Sequence, residues 1–197
     1  MGGLVATFVI SYLIGSIPVG LLVSRFWGKD LRKYGSRNIG TSNALRVLGP
    51  TAAVITLIGD GGKGILGGCL GLFLVGTPTA MVVGTLAAIF GQTYPLYLMF
   101  KGGKGVATTM GSALILSLPM GAIMVGVWIL VVALTRYISL ASMIAALSSI
   151  LIVFLLKLPP AYYLFALVAG GHVVYRHQDN IKRLLAGKEF KIGERVS

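Results

Sequence analysis

Long uncharged stretches separated by short polar islands dominate this chain, and the stretches have membrane-crossing lengths. Leu4 to Val23 is the first, about 20 residues, enough to cross roughly 30 Å of hydrocarbon at 1.5 Å per residue. Gly15, Pro18 and Gly20 break its regularity. Pro50 opens a second span that ends near Gly76-Thr77-Pro78, and a third runs from Thr79 to Phe100. Gly105 to Thr135 then gives 31 residues without a charge, long for one crossing, with Pro119 near the middle. Two short helices meeting there leave Arg136 on the same side as Lys104, whereas one tilted helix puts it opposite. The hairpin is expected, because with Ile138 to Leu156 and Tyr162 to Val174 as the last spans every charged loop except Lys157 falls on one side. Gly105 to Leu118 then reaches only about 21 Å, a re-entrant segment or one beneath a thinned bilayer.

The pattern predicts an all-α polytopic membrane protein with about seven transmembrane helices, some short, in a single domain over 1–197. Arg25 to Arg46 carries six of the 17 Lys and Arg residues, and Arg176 to Ser197 carries six more. The positive-inside rule puts both segments in the cytoplasm and the N-terminus outside. The first apolar run has no charged segment before it and no evident cleavage site after it, so it is expected to be a retained span.

Composition agrees with the pattern. The chain is 56% hydrophobic and 11% charged, with a mean hydropathy of +0.90, against roughly 25% charged in soluble domains. A net charge of +12 fits cytoplasmic loops facing anionic lipid and anionic substrates. No basic run is interleaved with aromatics, so nucleic acid is not an expected partner. One cysteine, Cys69, excludes an intramolecular disulfide and a multi-cysteine metal site. Glycine is abundant; Gly59, Gly61, Gly62, Gly64, Gly67, Gly68 and Gly71 on the second span would let helix backbones approach closely in lipid.

Four polar islands remain. Phe100 to Thr109 (Phe-Lys-Gly-Gly-Lys-Gly-Val-Ala-Thr-Thr) sets Lys101, Lys104, Gly102, Gly103 and Gly105 ahead of a helix start. Converging backbone N–H groups, a lysine and a helix N-terminus outline a phosphate or carboxylate site. A basic interfacial loop that fixes topology would look the same. Tyr34 to Arg46 gathers Ser36, Asn38, Thr41, Ser42, Asn43 and Arg46 with no carboxylate, which favours an anion over a plain linker. Tyr175 to Leu184 puts His177 and Asn180 at i, i+3 on one helix face at a membrane boundary, while His172 lies on the apolar face and reads as structural. The fourth island, Asp60-Gly-Gly-Lys63, lies inside the second span. It is either an intramembrane functional pair or a buried ion pair that fixes packing.

Several chemistries are excluded. Gly59 to Gly64 fits G-x-G-x-x-G but sits in a membrane helix without a βαβ context. No Gly-Lys pair is followed by Ser or Thr, so there is no P-loop. A His-x4-Asp acyltransferase signature is absent, since His177 and Lys182 stand five residues after His172 and His177. Five acidic residues are too few and wrongly spaced for a two-metal phosphotransferase, so neither a metal nor a cofactor is expected.

In order along the chain, Gly15-Ser-Ile-Pro-Val-Gly20, Asp30 to Asn43 with Arg46, Asp60 with Lys63-Gly64, Phe100 to Thr108, Arg136-Tyr-Ile-Ser-Leu-Ala-Ser142 and Arg176 to Leu184 resemble the motifs of the bacterial membrane glycerol-3-phosphate acyltransferases that use acyl phosphate as donor. Departures are Gln92 where a histidine is common, Arg37 in place of a glycine, Thr41-Ser42 for Ala-Thr, and Gly59 for a leucine. The resemblance implies seven helices in the bacterial cytoplasmic (inner) membrane with the active site facing the cytoplasm. It implies transfer of an acyl group from acyl phosphate to the 1-hydroxyl of glycerol 3-phosphate, and the protein is expected to act as a monomer among membrane lipids. It further assigns Lys104, Arg46, Ser36, His177 and Asn180 to glycerol 3-phosphate and catalysis. Gly40, Thr41, Ser42, Asn43 and Ser142 go to the donor phosphate, with Asn38, Asp60, Lys63, Gly102, Gly103, Gly105 and Thr108 as further substrate-binding positions. A transporter of phosphate or organophosphate is the competing class, since broken helices and intramembrane charge are its marks too. No inverted repeat is visible, and the polar groups gather on one face instead of at the midplane.

Overall fold

A computed structural model describes residues 1–194, and among these there are ten α-helices, one 3₁₀ turn and no strand. The first span is two helices, α1 (Gly2–Gly15) and α2 (Val19–Phe26), broken at Ser16-Ile17-Pro18, where proline supplies no N–H to continue the ladder. A polar segment leads to α3 (Thr41–Leu48), and Gly49, at φ 96°, turns the chain into α4 (Pro50–Leu74). α5 (Pro78–Thr93) is capped by the Thr77 hydroxyl and followed by the 3₁₀ turn Leu96–Leu98.

The long uncharged stretch is two helices, α6 (Val106–Leu116) and α7 (Leu118–Thr135), and Ser117 caps the second by accepting from Met120 N–H. Arg136 therefore returns to the end that carries Lys104, as the hairpin requires. α8 (Ile138–Leu155), α9 (Ala161–Arg176) and a short α10 (Gln178–Leu185) complete the chain. Five helical stretches are long and apolar enough to cross a membrane, including Gly2–Phe26 taken together. α6 and α9 are shorter, at 11 and 16 residues.

α4 is the central element and packs against α1, α2, α3, α5 and α6. Its glycines allow this. A Cβ on Gly67 would come within 2.5 Å of Gly84 O on α5, and one on Gly111 of α6 within 2.0 Å of Gly61 O. Gly59 meets Val19 in the same way, a Cβ there falling 2.6 Å from Val19 Cγ1, which accounts for glycine where a leucine is usual. Gly62 is different: nothing stands within 4 Å of its Cβ position.

Small and hydroxylic residues fill the interior while large apolar ones point outward, Phe73, Leu134 and Phe154 being 86%, 75% and 65% exposed. That is the distribution of a bundle whose solvent is hydrocarbon. A larger apolar core, with Met120, Met124, Phe165 and Val153 at its centre, joins α5 to α9.

Candidate active site

At the end of the bundle where α3, α6, α8 and α10 begin, a cavity of about 330 Å³ opens between polar and apolar walls. Ser36, Asn38, Gly40, Thr41, Ser42, Asn43 and Arg46 border it from the first island, and Lys104, Gly105 and Thr108 from the second. Asp60 on α4, Ser142 on α8, and His177 and Asn180 around the α9–α10 junction complete the polar side. Leu57, Met110, Val125, Trp128 and Ile129 form the apolar side. Three sequence-predicted positions do not line the cavity: Lys63, Gly102 and Gly103.

The first island is shaped by Asn43, which is 1% exposed. Its Nδ2 donates to the carbonyls of Leu31, Tyr34 and Asn38 at 3.1, 3.1 and 2.8 Å, and its Oδ1 accepts from Ser36 N–H at 3.0 Å. Asn43 thus organises the loop, and its polar atoms are committed to protein partners. Arg37 is exposed at φ 58°, the left-handed region that suits the glycine usual there, and its side chain stays off the cavity.

Lys104 follows two glycines whose N–H groups are already used. Gly102 donates to Thr93 O at 3.1 Å and Gly103 to Gln92 O at 3.0 Å, so the expected nest of glycine N–H groups is not formed by these two. The loop is instead strapped along the end of α5. Gly105, at φ 77°, makes the left-handed turn into α6, a conformation a side chain would strain. Thr41 Oγ1 and Thr108 Oγ1, in the first turns of α3 and α6, are buried and without a protein partner. Both helix N-termini open on the cavity, where their unpaired backbone N–H groups favour an anion.

Lys104 Nζ donates to Asn180 Oδ1, and Asn180 Nδ2 donates to Glu189 Oε1 at 2.7 Å. Glu189, in the segment after α10, also accepts from Ser139 Oγ at 3.0 Å and pairs with Arg183 Nε at 2.7 Å. Burial, and after it the Arg183 charge, lower the Lys104 pKa to about 8. His177 donates Nδ1–H to Val173 O at 2.7 Å, which leaves Nε2 with the lone pair. Burial and the Lys104 charge hold its pKa down at about 4. Burial also lowers the pKa of Arg46, opposed by Glu189, and its guanidinium lies 4.7 Å from the Phe190 ring centroid.

Lys63 lies off the cavity, its Nζ 2.7 Å from Asp60 Oδ1 with both side chains buried. Ser142 spends its proton on Ile138 O at 2.8 Å and accepts from Trp128 Nε1 at 3.3 Å. Arg183, Glu189, Phe190, Ser139 and Trp128 border the cavity without having been assigned a role from the sequence, and Gln92, which stood out only as a departure from a common histidine, borders it too. Glu189 carried a usable signal, as one of few acids in a basic tail. Among the described residues no three His, Cys, Asp or Glu side chains gather as a metal site.

The family model for glycerol-3-phosphate acyltransferase matches residues 5–187. Glycerol-3-phosphate acyltransferases of Rubrobacter xylanophilus and Synechococcus sp. are 41% and 44% identical over 187 and 185 residues, covering 95% and 93% of this chain and 94% and 91% of theirs. The crystal structure of PlsY, an integral membrane glycerol 3-phosphate acyltransferase, in its glycerol 3-phosphate form superposes with a TM-score of 0.92 at 34% identity over 96% of each chain. Its lysophosphatidic acid form gives 0.90 at the same identity, over 96% of this chain and 95% of that one.

Proposed function

Because this chain belongs to the glycerol-3-phosphate acyltransferase family, we propose that it moves a fatty acyl group from acyl phosphate to the 1-hydroxyl of sn-glycerol 3-phosphate. The products are 1-acyl-sn-glycerol 3-phosphate and inorganic phosphate, and neither metal nor cofactor is required. The observation that carries the reading is the cavity itself. Lys104, His177 and Asn180 meet Arg46 and Ser36 beside an apolar wall of α4, α6 and α7 residues. Two phosphates and one acyl tail need that combination, and the matched relatives are acyltransferases, not transporters.

Glycerol 3-phosphate sits against Lys104, Arg46 and Ser36, with His177 and Asn180 beside its hydroxyls. The donor phosphate lies at the α3 N-terminus, where Gly40, Thr41 and Ser42 begin the helix and the unpartnered Thr41 and Thr108 hydroxyls point to an acceptor. The tail runs along Val125, Trp128 and Ile129. The 1-hydroxyl oxygen bonds to the acyl carbonyl carbon, the carbon–oxygen bond to phosphate breaks, and the hydroxyl proton passes to a phosphate oxygen. A phosphate with its second pKa near ~6 is a better base here than His177, whose pKa is about 4. Lys104, at about 8, is mostly charged at neutral pH and stabilises charge as it develops.

Counting α1 with α2 as one crossing, seven crossings put the N-terminus outside. The cavity then opens on the cytoplasmic face of the bacterial inner membrane, where the basic segments gather and where a single chain supplies every residue of the site. The donor is the test. Purified protein in detergent is given glycerol 3-phosphate with palmitoyl phosphate, palmitoyl-CoA or palmitoyl-acyl carrier protein in turn, and the lipid product is followed by mass spectrometry. Product from palmitoyl phosphate alone supports the reading; product from a thioester alone replaces the donor.

A further inference from the structure

Gln92 bonds the intramembrane charges through its side chain and the loop bearing Lys104 through its backbone carbonyl. Asp60 and Lys63 lie one turn apart on α4, 2% and 3% exposed, and their contact leaves one carboxylate oxygen and further ammonium protons to be satisfied. Gln92, reaching over from α5, satisfies both: its Nε2 donates to Asp60 Oδ2 at 2.9 Å and its Oε1 accepts from Lys63 Nζ. An uncharged amide is suited to this position because it offers a donor and an acceptor together without upsetting the charge balance.

The backbone of the same residue carries the loop. Gln92 O accepts from Gly103 N–H at 3.0 Å, and Gly103 O accepts from Arg176 Nη2 at 3.3 Å. The peptide immediately before Lys104 is therefore gripped from α5 and from α9. The approach is close, since a Cβ on Gly102 would fall 2.3 Å from Gln92 O and one on Gly103 would fall 3.0 Å from Gln92 Nε2. Asp60 and Gln92 border the cavity while Lys63 does not. The network thus presents a neutralised floor and withholds one cation from the substrates.

We propose that Gln92 is a positioning residue for acyl transfer: by bridging Asp60 and Lys63 it fixes the end of α5 on which Gly103 and Lys104 are laid. The proposal rests on the acyltransfer reading above and goes beyond it, because Gln92 acts through Lys104 and not on substrate. A displaced lysine is felt in rate as well as binding, since charge stabilisation depends on placement.

The test is a charge swap read in kinetics. Gln92→Glu sets two carboxylates around one ammonium, Asp60→Asn leaves none, and the double variant Asp60→Asn/Gln92→Glu restores one carboxylate, one amide and one lysine. Each single variant, purified as folded protein by gel filtration, is expected to lose at least about tenfold in kcat with a raised KM for glycerol 3-phosphate. The double variant is expected to recover to within a few fold of wild type. Folded single variants with wild-type kcat and KM overturn the proposal. Lost folding in both single variants, or rescue of thermal stability without rescue of kcat, also overturns it, because a purely structural role predicts those results. Glycerol 3-phosphate binding by calorimetry is measured alongside. A wild type that binds but turns over no acyl phosphate counts against the acyltransfer reading, whereas weaker binding in the single variants restored in the double still supports Gln92.

Discussion

Lys104 Nζ and Glu189 Oε1 never touch, yet both bond the same amide: Asn180 accepts from the lysine through Oδ1 and donates to the glutamate through Nδ2 at 2.7 Å. The carboxylate thereby settles which way the amide faces, and the amide settles where the ammonium sits. Asn180→Leu is expected to keep the fold and lower kcat/KM for glycerol 3-phosphate by about 10- to 100-fold, the value of a charge-assisted hydrogen bond of about 1.5–3 kcal/mol. Initial rates of phosphate release measure it.

Lys104 carries the pH dependence. With its pKa lowered to about 8, its charge is present below that value and lost as pH rises through it, so kcat/KM is expected to fall on the alkaline side with a midpoint near 8. Burial is the main cause of the lowering, and the charged neighbours that adjust it are Arg183, Glu189, Asp179 and Arg176. Lys104→Arg keeps its charge throughout and is expected to abolish the alkaline fall, at a reduced rate, because a planar guanidinium does not replace a compact ammonium. A rate profile from pH 6 to 10 on both proteins decides.

His177 is expected to stay neutral from pH 5 upward, with its pKa near 4, so that an acid limb above pH 5 belongs to the substrate phosphate, whose second pKa is near ~6. Its titration is measurable by NMR on labelled imidazole. His177→Ala is expected to weaken glycerol 3-phosphate binding and turnover together. Abolished turnover with binding intact would move the proton to His177 Nε2 in place of a substrate phosphate.

Asn43 acts on stability. Asn43→Ala strands three carbonyls and the Ser36 N–H, some of them able to find water, and is expected to cost about 2–3 kcal/mol. A lowered Tm in detergent, larger than for Ser42→Ala, checks it.

The spans were legible because lipid demands long uncharged runs, and the α6–α7 break was legible because Pro119 stands near the middle of a run too long for one crossing. The gathering of three polar islands at one end followed from the sidedness of the basic loops. What escaped was contact detail. Arg25 to Arg46 reads as a cytoplasmic loop, yet Thr41–Leu48 forms α3, with Asn43 tying the segment before it to the helix. The glycines at 102 and 103 suggested an anion nest, but their N–H groups serve the α5 backbone. Lys63 looked free to turn toward an anion, until Asp60 and Gln92 are seen to hold it. Phe190 lies in a tail with no periodicity, so no pattern announces that it returns to the cavity, and Glu189 is marked there only as one of few acids in a basic segment.

The most direct measurement is phosphate release by purified protein given palmitoyl phosphate, with and without glycerol 3-phosphate and without added metal, beside Lys104→Ala. Release that requires glycerol 3-phosphate and drops to background in the variant is the predicted result. Release independent of glycerol 3-phosphate, or undiminished in Lys104→Ala, would contradict the placement of acyl transfer in this cavity.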